Sequence, residues 1–288
     1  MVSGGYAEVG AGRFWYEVHG SLSAESTPLV LVHGGPGFPS FYLEPLRVLS
    51  DRVPVVFWDQ AGCGRSKQYG ERKDFSIKGF VSELEELRKA LGVSKMHLYG
   101  HSFGGLVIGE YALTFPHSVA STIFVSASLD IPRWRADAAR LRATLPLMSK
   151  MVLTEGDRTG NYSSPQYLAA YGEYINRYIY RFKEKPEVIS QSELESDVRT
   201  YMTMWGPNEL VITGVVKDYS FTEQLPCLQA PALFMCGRYD EATPEAHEYF
   251  ASQIPHARCV VFEESAHHPH INETDAVCQT IIDFLGLT

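Results

Sequence analysis

Short runs of apolar, β-branched residues alternate along the chain with segments whose apolar positions recur every three to four residues. That alternation is the pattern of a mainly parallel sheet flanked by helices, an α/β fold. It predicts strands at residues 13–18, 28–33, 53–59, 96–99, 122–125, 231–236 and 257–262. Several of these are apolar at nearly every position, as strands covered on both faces are. Between them, residues 76–91 place Ile77, Phe80, Val81, Leu84, Leu87 and Leu91 on one stripe and Glu83, Glu85, Glu86, Arg88 and Lys89 on the other, a helix that Gly92 ends.

The alternation breaks after Val125. From about Asp130 to Leu225 the chain is rich in Tyr, Arg and Met and helical in period, and strand character returns at Pro231. The expected organisation is a catalytic core from residues 1–129 and 226–288, with 130–225 inserted as a mainly helical cap. Within that stretch Tyr167, Tyr171, Tyr174 and Tyr178 share one helical face, which points to core packing. With 288 residues, 45% of them apolar and 20% charged, the chain is long enough for one large core, and disorder, collagen and coiled coil are excluded. The net charge of −9 argues against a nucleic-acid partner. Five cysteines (Cys63, Cys227, Cys236, Cys259, Cys278) are odd in number and have no C-x-x-C spacing, so neither a disulfide framework nor a zinc site is implied. The first residues lack a basic stretch followed by an apolar one, and no run has the length of a membrane span, so a cytoplasmic protein is expected.

Gly100-His101-Ser102-Phe103-Gly104-Gly105 stands directly after the strand at 96–99 and directly before a helical run. A serine on a sharp strand-to-helix turn needs small neighbours and presents its hydroxyl above the sheet, so Ser102 is the candidate nucleophile. Its partners are expected later in the chain at the carboxyl ends of strands. Asp240, in Cys-Gly-Arg-Tyr-Asp-Glu, is the candidate acid, with Asp130 as the alternative. His267, in Glu-Ser-Ala-His-His-Pro-His, is the candidate base, with His268 as the alternative. A metal site on the histidines is disfavoured, because adjacent His side chains rarely converge and no further ligand spacing supports it. Oxyanion donors are expected from the backbone N–H groups of Gly35, in the turn His33-Gly34-Gly35-Pro36-Gly37, and of Phe103 at the helix start. The loop Asp59-Gln60-Ala61-Gly62-Cys63-Gly64-Arg65-Ser66 lacks the phosphate-cradle pattern and reads as scaffold near the site, with Cys63 as a packed small residue.

Together these residues resemble the α/β-hydrolase fold and, more narrowly, the proline iminopeptidase family of serine aminopeptidases. The resemblance rests on 33–37, on 59–66, and on Trp205-Gly206-Pro207-Asn208-Glu209 with Thr213-Gly214. It is silent over 133–187. It implies release of an N-terminal residue, preferentially proline, from a small peptide or amino-acid amide without metal or cofactor. It also implies that Glu209 and Glu241 hold the free ammonium of the substrate. Trp205 is the candidate to stack on a small ring. Ala61 departs from the family, where arginine is frequent. The alternatives are an amino-acid amidase or small-molecule esterase of the same fold, or a non-enzymatic binder.

Overall fold

The computed structural model describes residues 2–9 and 12–287. Eight strands form one sheet: β1 (Val2–Val9), β2 (Gly12–His19), β3 (Leu29–Val32), β4 (Val55–Trp58), β5 (Met96–His101), β6 (Val119–Val125), β7 (Ala232–Gly237) and β8 (Arg258–Phe262). Their order across the sheet is β1-β2-β4-β3-β5-β6-β7-β8, with β1–β2 and β2–β4 antiparallel and every other pairing parallel. Each strand expected from the pattern is present. β1 is additional: it has two adjacent glycines and exposed Val2 and Tyr6, so no apolar face announces it.

The period of two within strands sorts their side chains into two cores. Val30, Val32, Val56, Leu98 and Phe124 face one layer, which contains α1 (Ile77–Leu91), α2 (Phe103–Thr114) and, beyond the insertion, α8 (Pro244–Ser252). Leu29, Leu31, Val55, Tyr99 and Ile123 face the other, formed by the 3₁₀ segment Ser40–Asp51 and the C-terminal helix α10 (Thr274–Leu285), which follows the short α9 (Pro269–Asn272). α1 starts where the Ser76 side chain accepts from Gly79 N–H and stops at Gly92, whose φ of 70° few other residues adopt readily. Its polar stripe differs from expectation in two positions: Glu83 and Glu85 are buried. Each has found a partner, Glu83 the Arg72 guanidinium at 2.6 Å and Glu85 that of Arg88 together with the Tyr111 hydroxyl.

Between β6 and β7 the chain forms five helices, α3 (Ile131–Arg142), α4 (Leu147–Thr159), α5 (Pro165–Tyr178), α6 (Glu187–Leu194) and α7 (Val198–Met204), and then a 3₁₀ turn, Thr222–Cys227. α4 and α5 enclose a small core of their own around Leu145, Leu153, Tyr167 and Tyr174, whereas α3 and α7 send Ile131, Trp134, Ala138 and Met204 into one core of the sheet and α6 sends Ile189 into the other. Asp130 opens this insertion. One of its carboxylate oxygens accepts from Arg133 N–H at 2.8 Å, and the other from the hydroxyls of Ser220 and Thr222. No helix among the described residues is long and apolar enough to cross a membrane.

Candidate active site

Ser102 occupies the turn from β5 to α2 with φ 54° and ψ −121°, a backbone conformation costly for any residue with a Cβ. Two glycines make the turn possible. A Cβ on Gly104 would stand 2.1 Å from the Val32 carbonyl oxygen, and one on Gly100 2.5 Å from that of Gly104. Ser102 N–H donates to the Val125 carbonyl at 2.9 Å, which fixes the turn to β6. Phe103 is the first residue of α2, so its N–H has no acceptor within the helix, while its side chain packs edge-on against Phe80.

Asp240 lies in the loop after β7 and His267 in the loop after β8. Asp240 is 1% exposed, and its Oδ1 accepts from His267 Nδ1 at 2.8 Å and from Ala242 N–H at 2.8 Å. A carboxylate at Nδ1 puts the ring proton there and leaves Nε2 with a lone pair. The loops meet because β7 ends in Gly237, where a Cβ would lie 2.2 Å from the Ala266 carbonyl oxygen. His268, the alternative base, lines the same cavity but stacks on His101 at 5.1 Å, and its Nδ1 has no hydrogen-bond partner among the described residues. Asp130, the alternative acid, is engaged in opening α3. The ring nitrogens of His101, His268 and His270 lie within 4.8 Å of one another. Both ring nitrogens of His101 are hydrogen-bonded, to the Tyr42 hydroxyl and the His267 carbonyl, whereas His270 Nε2, like His268 Nδ1, is buried with no hydrogen-bond partner among the described residues.

The turn after β3 abuts Ser102: a Cβ on Gly34 would come within 2.8 Å of Ser102 Cβ. Gly34 N–H is taken by the Tyr42 hydroxyl at 2.8 Å. His33 braces the turn, its Nδ1 donating to the Gly34 carbonyl and its Nε2 accepting from Gln60 N–H. Burial pulls its pKa down to about 4, so it stays neutral in that role. Gln60 belongs to the second glycine-rich loop, which is tied down by Asp59 accepting from Ser40 and Arg65. That loop is scaffold, and Cys63 within it is fully buried, its thiol pushed well up by burial and the charge of Asp59.

Gly35, Ser102, His267, Glu209 and Glu241 all line one cavity of about 370 Å³. Glu209 accepts from the Tyr201 hydroxyl at 2.6 Å, and its N–H donates to the Tyr171 hydroxyl at 3.1 Å. Glu241 is 2% exposed, and its Oε2 is buried with no hydrogen-bond partner among the described residues. Burial raises both carboxyls above the usual range, Glu241 further because Glu209 and Asp240 lie near it. Trp205 does not line the cavity. It is buried against Trp134 at 5.4 Å, and Trp134 in turn stands edge-on to His267 at 6.1 Å. Of the tyrosines on α5, Tyr167 and Tyr174 are core as expected, whereas Tyr171 is a cavity wall. Tyr42, His101, Trp134 and Tyr201 complete the surroundings of the site, and no spacing in the sequence marks them.

The family model described as alpha/beta hydrolase fold matches residues 27–274. The chain is 35% identical to the proline iminopeptidase of Heyndrickxia coagulans over 99% of each chain. Among solved structures, that of VinJ superposes with a TM-score of 0.93 at 31% identity, covering 99% of both chains. The proline iminopeptidase of Mycobacterium smegmatis does so with a TM-score of 0.90 at 29% identity, covering 99% of this chain and 98% of the other. Shared fold, full-length coverage and identity at this level place the chain in the proline iminopeptidase family of alpha/beta hydrolases.

Proposed function

We propose that the protein is a serine aminopeptidase that releases an N-terminal residue, proline by preference, from small peptides or amino-acid amides. The observation that carries this reading is the pair of carboxyls, half-buried Glu209 and buried Glu241, on the wall of the cavity shared with Ser102. A buried carboxylate left unpaired is costly, and a substrate ammonium would complete it. The preference for proline follows from the relatives.

In this reading Ser102 Oγ attacks the carbonyl carbon of the N-terminal residue and passes its proton to His267 Nε2. Asp240 holds the ring and stabilises the imidazolium. The N–H groups of Gly35 and Phe103 receive the oxyanion. Collapse breaks the C–N bond as His267 returns the proton to the leaving amine, and water, deprotonated by the same histidine, hydrolyses the acyl-enzyme. Residues 130–225 act as a cap that contributes Glu209, Tyr171 and Tyr201, while residues 1–129 and 226–288 carry the triad. The five unpaired cysteines suit a reducing, cytoplasmic setting.

The test compares proline, alanine and leucine p-nitroanilides with N-acetyl-proline p-nitroanilide and p-nitrophenyl acetate, using Ser102→Ala as background. Turnover of free-amine proline above the others, lost on acetylation and in Ser102→Ala, is the expected result. Equal turnover of the acetylated substrate would overturn the ammonium anchor, and ester turnover alone would make the protein an esterase.

A further inference from the structure

His101 precedes the nucleophile and Tyr42 lies on the 3₁₀ segment 40–51; neither enters the steps above, yet both connect them. Tyr42 Oη accepts Gly34 N–H at 2.8 Å and lies 3.0 Å from His101 Nδ1, while His101 Nε2 lies 2.7 Å from the His267 carbonyl oxygen. A carbonyl can only accept, so Nε2 carries the ring proton. Nδ1 must then accept, and the Tyr42 hydroxyl donates to it. The chain of donors therefore runs one way, from Gly34 N–H through Tyr42 and His101 to the carbonyl of His267. It requires a neutral imidazole. Burial supplies one, with the neighbouring His267 and His270 adding to the effect, and holds His101 well below the ordinary histidine range.

We propose that Tyr42 and His101 are positioning residues that hold the oxyanion turn and the catalytic-histidine loop in fixed relation across Ser102. The inference rests on the triad and oxyanion roles proposed above. The turn at Gly34 and Gly35 is braced by His33, and the loop of His267 is tied to the end of β7 by Tyr239 N–H donating to the Ser265 carbonyl, but those bonds hold each segment to its own neighbours and do not join one to the other. Hydrogen bonds through a buried, rigid pair of rings locate both at once. The tolerance is small, because donors and base must both meet the same reacting carbonyl, and misplacement by about 1 Å costs roughly a hundredfold in rate.

Tyr42→Phe removes one hydroxyl and keeps the ring. It is expected to lower kcat on proline p-nitroanilide about ten- to a hundredfold and to leave KM within about twofold, since the ammonium anchor is untouched. His101→Ala is expected to lose as much. His101→Gln, which keeps a donor for the His267 carbonyl, should recover part of it. The double variant Tyr42→Phe/His101→Ala should be little worse than the poorer single, as members of one unit are. Affinity for prolinal, which forms a hemiacetal with Ser102, should fall in parallel with kcat, while affinity for prolinol should not change. Four results overturn the proposal: kcat within about twofold of wild type in folded Tyr42→Phe, equal loss of prolinol and prolinal affinity, no recovery by Gln, or multiplicative losses in the double variant. Should Tyr42→Phe melt at assay temperature, His101→Gln against His101→Ala carries the same readouts. Turnover retained by Ser102→Ala would instead overturn the underlying triad, and it is told apart from a failed relay because Tyr42 and His101 are intact in that variant.

Discussion

At the scale of single residues, the carboxyl of Glu241 is where recognition and stability oppose each other. Burial and the charge of Glu209 raise its pKa well above the usual carboxylate value. A carboxyl whose pKa is raised by folding binds more protons folded than unfolded, so it lowers stability as pH climbs through and beyond the unfolded value. Glu241→Gln should therefore melt higher than wild type at pH 8, with the gap closing toward pH 4. On the proposed reading the same change also removes a charge-assisted bond to the substrate ammonium, worth about 1.5–3 kcal/mol, and should cut kcat/KM on proline p-nitroanilide by roughly ten- to a hundredfold. In the wild type the corresponding sign is a kcat/KM for free-amine substrates that falls as pH drops and the pair takes up protons. Thermal melts at the two pH values and a pH–rate profile check all of this, and a variant that loses stability at pH 8 would contradict it. The sequence offered Glu209 and Glu241 only through family likeness, because their pairing joins the insertion to the loop after β7. Trp205 shows the reverse case: a residue inside a recognisable motif that sits behind the site, against Trp134, and not at its wall.

At the scale of elements, helix starts and strand ends account for most of what periodicity could show. The buried parallel strands announce themselves by continuous apolar runs, and the ends of β5, β7 and β8 fix where Ser102, Asp240 and His267 emerge. What periodicity does not carry is contact between elements: Tyr42, His101 and Tyr201 come from a 3₁₀ segment, a strand end and α7. β1 fails for a local reason, since it pairs along only one edge of β2 and buries almost nothing. Asp130 is a case in which two roles were open and the local structure separates them. Its carboxylate caps α3 and ties in Ser220 and Thr222, so Asp130→Ala should cost about 1–3 kcal/mol of stability. Below its melting range that variant should keep kcat within about twofold, whereas Asp240→Ala, which frees His267 Nδ1, should lose roughly 10⁴-fold in kcat. A collapse of kcat in folded Asp130→Ala would return it to candidacy as the acid.

At the scale of the whole molecule, the cavity is lined both by residues of the sheet and its loops and by residues of the insertion. The sheet, with a core on each face, carries Ser102, Asp240, His267, Gly35 and Glu241. The insertion carries Glu209, Tyr171 and Tyr201; its α3, α6 and α7 pack into the cores of the sheet, while α4 and α5, with Tyr171, are held by a far smaller apolar cluster. A unit with less buried apolar surface opens at a lower free energy than the body it sits on. On the proposed reading, acyl transfer needs only residues of the sheet and its loops, whereas capture of a free amine also needs Glu209 from the insertion. Rising urea should therefore abolish turnover of proline p-nitroanilide first, while Ser102-dependent hydrolysis of p-nitrophenyl acetate persists until the far-UV circular dichroism falls. Superimposable losses of both activities and of ellipticity would mean that insertion and sheet unfold as one unit. Separated transitions would locate selectivity for a free amine in the part of the molecule easiest to open, where substitutions can alter the substrate without reaching the chemistry beneath.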